Sequence, residues 1–112
     1  MSRGAQIRGI QRERDLAAIL RDEGWFVLRA AGSHGEADLI ALHAGREPRM
    51  IEVKSTTRSA FAGFPPADRA HLIDSAAQAG AQAWLVWWPK RQKPQWIPPG
   101  DWPKPRRSSG SQ

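Results

Sequence analysis

A single mixed α/β sheet flanked by helices is the fold class this sequence predicts, and three observations predict it. At 112 residues the chain has the size of one ordinary domain and no room for a second core. Its apolar patterns run helix, three strands, helix, strand, an order suited to one sheet covered by helices. Six of the nine prolines lie from Pro89 onward, so the regular elements crowd into the part before them. Residues 1–102 read as the domain, and 103–112 as a basic Pro/Ser/Gly-rich tail expected to be disordered because it cannot bury itself.

From about Ala5 to Glu23 there is no Pro and only Gly9 as a weak helix former, which predicts an amphipathic helix. At about 100° per residue, Ile10, Leu16, Ala17 and Leu20 span an arc of roughly 120°, with Glu13 near its middle. Gly24 ends this helix, and the aromatic and apolar run Trp25 to Ala30 is too short for another, so it reads as a strand. Ala31-Gly32-Ser33-His34-Gly35 is a loop on its glycines. Ala37 to His43 reads as a second strand. Turn residues follow in Ala44-Gly45-Arg46-Glu47-Pro48, and alternation resumes at Met50, so the second strand and a third ending near Ser55 form a hairpin. Gly63 and Pro65-Pro66 lead into a helix from about Pro66 to Ala79, with an apolar stripe of Leu72, Ile73, Ala76 and Ala79 and with Gly80 as its C-terminal cap. Ala83 to Trp88 is apolar on both faces, which places it inside the sheet or beneath another subunit. Trp96-Ile97 reads as a short fifth strand.

Charge narrows the partners. There are 17 Lys plus Arg against 11 Asp plus Glu, for a formal charge of +6, which favours a polyanion and nucleic acid first. Of the basic residues 13 are Arg, whose guanidinium grips phosphate with two parallel hydrogen bonds. No run approaches the roughly 18 apolar residues of a membrane span, and the N-terminus lacks the apolar core of a signal peptide. A soluble, cytoplasmic protein is expected, with neither a membrane nor a small-molecule substrate as partner. The absence of cysteine excludes disulfides, thiolate zinc sites and a cysteine nucleophile, so any metal is held by oxygen or imidazole.

Four residues stand out for chemistry. Glu52 and Lys54, two apart on a strand, share a face. A hairpin centred on Gly45 pairs positions summing to 90, which sets Ile40 across from Met50 and Asp38 across from Glu52. Opposed carboxylates repel, so a compensating cation is needed there. Glu13, on the apolar face of the first helix where a charge is seldom buried alone, can bring a third carboxylate. Such an oxygen set suits Mg²⁺, and Mn²⁺ fits too. Phosphodiester hydrolysis is the natural chemistry: a metal acidifies and positions water and neutralises charge growing on phosphate. Lys54 would orient or deprotonate that water, or stabilise the pentacovalent phosphate. The bland alternative is an ordinary Glu52–Lys54 pair on a solvated sheet.

These residues resemble a known pattern. Gly35-Glu36-Ala37-Asp38, a hairpin, then Ile51-Glu52-Val53-Lys54 is similar to the PD-(D/E)xK nuclease motif, with Ala37 where many members have Pro. Gly4-Ala5-Gln6, Arg12-Glu13-Arg14-Asp15-Leu16, Gly24-Trp25-Phe26-Val27-Leu28-Arg29, Ala31-Gly32-Ser33 and Asp38-Leu39-Ile40-Ala41 together resemble the archaeal-type Holliday junction resolvases, over roughly the first 90 residues; the segment beyond Trp96 finds no counterpart there. The resemblance implies a restriction-endonuclease-like core and a homodimer making paired nicks of like polarity in a four-way DNA junction. It implies catalytic roles for Glu13, Asp38, Glu52 and Lys54, a metal held by the three carboxylates and the Val53 carbonyl, and DNA contact or site support by Arg14, Arg29 and Ser33. A homodimer also answers the near two-fold symmetry of the junction.

On the residues themselves, Arg3, Arg8, Arg12, Arg58, Arg69 and Lys54 are candidates for a phosphate track, and His34, beside Ser33 in the glycine-flanked loop, for reaching phosphate or water. His43 and His71 have no metal-pair spacing. Phe61-Ala62-Gly63-Phe64 suits a cover for the core better than a wedge between bases, and Trp84, Trp87 and Trp88 suit core or interface. Two rivals stand beside resolution: a related nuclease acting on flaps or nicked DNA, and a DNA-binding protein whose carboxylates are structural.

Overall fold

Two helices and five strands follow in the expected order: α1 Arg3–Asp22, β1 Phe26–Arg29, β2 Leu39–His43, β3 Arg46–Ser55, α2 Pro66–Ala79, β4 Gln82–Trp88 and β5 Gln95–Ile97, then a 3₁₀ turn at Pro99–Asp101. The computed structural model describes residues 3–30 and 37–104, with side chains from residue 9 onward. Ser33, His34, the side chains of Arg3 and Arg8, and the tail from residue 105 lie outside the described residues.

The sheet is ordered β1-β2-β3-β4-β5. Only β3 and β4 run parallel; the other neighbours are antiparallel. A parallel pair needs a crossover, and α2 supplies it, starting on Pro66 and ending at Gly80, whose φ of 65° is left-handed. β4 is interior as its composition requires: Leu85 and Val86, on opposite faces, are both fully buried.

The hairpin turn differs from the expectation. His43 pairs with Arg46 across a two-residue turn, so the turn is not centred on Gly45. An irregularity between Ala41 and His43 then shifts the ladder by one residue, leaving Ala41↔Arg49, Ile40↔Met50 and Leu39↔Ile51 in the predicted register. The extra residue belongs to β3, in the stretch holding Pro48, which has no N–H to give a ladder and is tolerated at a bulge.

Each face of the sheet carries a core. On the first, Leu16, Ala17 and Leu20 of α1 pack on Val27, Leu39, Ile51, Val53 and Val86. On the second, Leu72 and Ala76 of α2 pack on Met50, Ala83 and Leu85 with Phe64 and Trp102. Burying one such side chain is worth about 1.5–3 kcal/mol, which fixes both helices to the sheet. Two stripes are narrower than expected: Ile10 of α1 is 40% exposed, where α1 overhangs the sheet, and Ile73 of α2 is 42% exposed although Leu72 and Ala76 on either side are buried, because it lies at the side of its stripe, about 100° round the helix from Leu72; Ala79 is exposed as well. Phe64 is buried, so of the 61–64 segment it covers the core and is not available as a wedge. Trp102 closes the second core, edge-on to Phe64 at 5.2 Å with its Nε1 donating to the Ile97 carbonyl at 3.0 Å.

Arg49 had no assigned role in the sequence, yet its guanidinium lies 4.4 Å from the Trp25 ring, 5.0 Å from Trp96 and 5.8 Å from Trp84. It joins β3 to the residue before β1 and to β4 and β5. A partly desolvated cation–π contact is worth about 0.5–2 kcal/mol. Arg49→Ala is therefore expected to lower unfolding free energy by about 1–2 kcal/mol, read as a lower urea midpoint at constant slope. An unchanged midpoint would mean that the tryptophans pack equally well without it.

Candidate active site

The β2–β3 ladder ends at Leu39↔Ile51, one residue short of Asp38 and Glu52. Past that point the two strands fork. The Asp38 N–H donates to the Ile51 carbonyl at 2.8 Å, and its Oδ2 accepts the Val53 N–H at 2.8 Å, taking the place of the next ladder bond. Asp38 thus straddles the end of the ladder instead of standing squarely opposite Glu52. Glu52 and Lys54 project together from β3, joined by an ion pair with Nζ to Oε2 at 3.1 Å.

Glu13 enters this fork from the α1 side. Its place on the buried arc of the helix turns it inward, and its side chain is only 19% exposed. A cleft of about 600 Å³ opens here, lined by Glu13, Asp38, Glu52, Val53 and Lys54, with Ile10, exposed at the overhang of α1, at its rim. All four residues singled out in the sequence therefore meet in one place. Ser55, Thr56 and Ala62 also line it; no sequence pattern marked them, since they sit where β3 runs into an irregular loop. That loop is pinned by the Thr56 hydroxyl donating to the Ser59 carbonyl at 2.7 Å and by the Trp87 indole donating to the Thr56 carbonyl at 3.2 Å. Gly63, with φ 77°, passes over the Lys54 ammonium: a Cβ there would lie 3.8 Å from Nζ, and the backbone conformation itself disfavours any side chain.

The electrostatics of the cleft are those of crowded acids. Burial, then the charge of Asp38, pushes the Glu52 carboxyl up to about 7 against the pull of Lys54, with Asp68 at the start of α2 adding to the rise. Asp38 is raised by burial, partly offset by the Val53 N–H, Lys54 and Arg29. Glu13 is raised by burial and by Asp38, partly offset by Arg29. Three carboxyls that all resist ionisation in one cleft form a donor set a divalent cation would relieve. They are not yet gathered round one point: among the described residues no three acidic or histidine side chains stand close enough to share an ion. Each is otherwise engaged, Glu13 with the Arg29 guanidinium at 3.2 Å, Glu52 with Lys54 and Asp38 with the Val53 N–H. The oxygens fit a hard cation by type and location, and each ion pair engages one carboxylate oxygen: Arg29 holds Glu13 Oε1 and Lys54 holds Glu52 Oε2.

The other candidates divide. Arg29 supports the site through Glu13. Arg12 and Arg58 line an adjoining cleft. Arg14 is exposed on α1 and lines none of the clefts found among the described residues. Arg69 does not line the catalytic cleft: its Nη1 donates to the Phe64 carbonyl at 2.8 Å, and its guanidinium lies 5.9 Å from the Phe61 ring, a bracing position. His43 accepts the Gly45 N–H at 3.1 Å and stands edge-on to Trp25, a turn-holding role. No described helix is long and apolar enough to cross a membrane.

A solved structure of Hjc, a Holliday junction resolvase from the archaeal hyperthermophile Archaeoglobus fulgidus, superposes with a TM-score of 0.69 at 27% identity, over 79% of this chain and 73% of that one. The fold is therefore of the PD-(D/E)xK nuclease type, as the resemblance implied. A family model described as archaeal Holliday junction resolvase (hjc) matches residues 5–108, so the likeness also runs past Trp96, where the motifs had found no counterpart. With a family model matched over all but the ends of the sequence and a shared sheet, this chain belongs to the archaeal Holliday junction resolvase family.

Proposed function

We propose that this protein resolves four-way DNA junctions as a homodimer, by metal-assisted hydrolysis of one phosphodiester in each of two strands. The observation that carries the reading is the meeting of Glu13, Asp38, Glu52 and Lys54 in one cleft of a chain that is otherwise basic. Glu13, Asp38, Glu52 and the Val53 carbonyl would hold Mg²⁺, or Mn²⁺ in its place. In a strand the N–H and C=O of one residue point the same way, so Val53, whose N–H reaches Asp38, directs its carbonyl toward Asp38 as well. When bound, the ion acidifies and positions water and offsets charge on the scissile phosphate. Arg29 holds Glu13 in place. Lys54 would face the phosphate, where its ammonium would stabilise the extra negative charge of the pentacovalent state.

The second copy has a surface to use. Phe26 is 61% exposed, Leu28 48% and Leu42 40%, and Phe26 pairs with Leu42 across β1 and β2. They lie on the face where α2 packs against β3 and β4, and among the described residues no helix covers them over β1 and β2. A patch of this kind suits a self-complementary two-fold contact.

The test is cleavage of a labelled immobile junction with Mg²⁺, run beside sedimentation. Paired nicks in strands of like polarity, an intact plain duplex and a mass twice the 12.5 kDa of the chain are expected. Cutting of one strand only, or equal cutting of duplex, would remove resolution as the function.

A further inference from the structure

A second cleft, of about 760 Å³, adjoins the catalytic one and shares Ser55, Thr56 and Ala62 with it as a common wall. The charges of the two are opposite. The catalytic cleft is lined by three carboxylates and one lysine, whereas the second has no acidic residue in its lining and four cations, Arg12, Arg58, Lys90 and Arg91. They come from three separate elements: α1, the loop after β3, and the turn after β4.

Arg12 is held ready. Its guanidinium lies 4.8 Å from the ring of the buried Trp88 and pairs with Asp15 at 3.2 Å, so little rotamer freedom is left to lose on binding. Arg58, Lys90 and Arg91 make no ion pair among the described residues. Lys90 and Arg91 occupy the two corners of a turn closed by the Gln92 N–H donating to the Pro89 carbonyl at 3.3 Å. Arg91 has φ 59°, the one positive φ among the described non-glycine residues. A turn of this form prefers Gly or Asn at that corner, because an ordinary side chain there crowds the neighbouring carbonyl. Among the described residues the exposed Arg91 side chain makes no hydrogen bond or ion pair with the rest of the fold. It does give the cleft a guanidinium.

We propose that this second cleft holds the phosphodiester backbone of the cut strand beside the scissile phosphate, through Arg58, Lys90 and Arg91 with Arg12. Among polyanions the strand itself is favoured because the clefts share a wall, so a backbone seated in one continues into the other. The charge contrast adds a division of labour: without a divalent ion the catalytic cleft repels phosphate, and the cationic cleft carries the binding. This inference rests on the resolvase reading and deepens it.

The experiment is junction binding in EDTA, followed by gel shift across salt concentrations, for wild type, Lys90→Ala/Arg91→Ala and Arg91→Gly. Each phosphate contact contributes about 0.7–0.9 to the slope of log K against log salt. The double variant should lose about 1.4–1.8 of that slope and bind about tenfold or more weakly at low salt. Arg91→Gly relaxes the turn, so it should melt no lower than wild type and still lose one contact's share of the slope. A junction with a neutral methylphosphonate a few nucleotides from the cut, on the cut strand, should weaken wild type but not the double variant further. Slopes of both variants equal to that of a wild type that binds and cuts junctions would overturn the proposal alone, as would a methylphosphonate effect confined to the uncut strands. A wild type that binds no branched DNA overturns the resolvase reading, and this inference with it.

Discussion

Replacing Glu52 by Gln is expected to slow junction cleavage by about a thousand-fold or more while leaving junction binding intact. The substitution preserves shape and removes one negative charge from the most strongly perturbed acid of the cleft. A neutral amide is a poor ligand for a hard cation, and it leaves Lys54 without the carboxylate it pairs with at 3.1 Å. Ground-state binding to phosphate should hold or tighten, since a repulsive charge has gone. A loss confined to the chemical step, seen in single-turnover rates at saturating junction, is the signature of an interaction realised in the transition state. Retained cleavage would exclude Glu52 from the mechanism, and Asp38→Asn provides the parallel test at the other side of the fork.

The same substitution should stabilise the metal-free protein at alkaline pH, the second large effect. The Glu52 carboxyl sits at about 7 in the folded chain against an ordinary 4.5. Between those values the folded state binds more protons than the unfolded one, so the stability this group contributes is fully present below about pH 4.5 and is lost as pH rises through about 7. The gap corresponds to about 3 kcal/mol at 1.36 kcal/mol per unit, with little screening because the side chain is only 13% exposed. Raised Asp38 and Glu13 act in the same direction. Urea melts in EDTA should therefore show wild type falling toward pH 8 and Glu52→Gln falling much less. Mg²⁺ added to wild type at that pH should restore stability by mass action, a reading of ion binding that does not depend on activity. Parallel pH curves for the two proteins would sink the account of the strained cleft, and an unresponsive wild type would sink the metal.

The limits of the sequence reading follow from the range of the forces involved. Periodicity carried far because burial acts locally: Leu16, Ala17 and Leu20 share a helical face whatever the sheet does, and Glu13 among them was legible as an inward acid. The register of β2 on β3 was also legible, since a one-residue slip would turn Leu39 and Ile51 out of the core. The turn was not, because the bulge around Pro48 hides one residue that alternation does not count. Ile10 and Ile73 show the same limit from the other side: a helix pattern tells which way a residue faces, but neither where the sheet stops beneath it, as at Ile10, nor how wide an arc the sheet covers, as at Ile73. Arg29 could be placed near the site only through resemblance, and its grip on Glu13 depends on α1 crossing β1.

By itself, then, the amino-acid order determined the elements, the alternation that divides two cores, the basic charge and the four residues that meet in one cleft, the elements and faces being set by neighbours within a few positions. Tertiary structure alone decided that β2 and β3 fork at Asp38, that the carboxyls crowd enough to raise Glu52 to about 7, and that Arg12, Arg58, Lys90 and Arg91 line one cleft beside them. Desolvation and Coulomb interaction act through space between groups the chain brings together from afar, and no local pattern in the sequence encodes that separation.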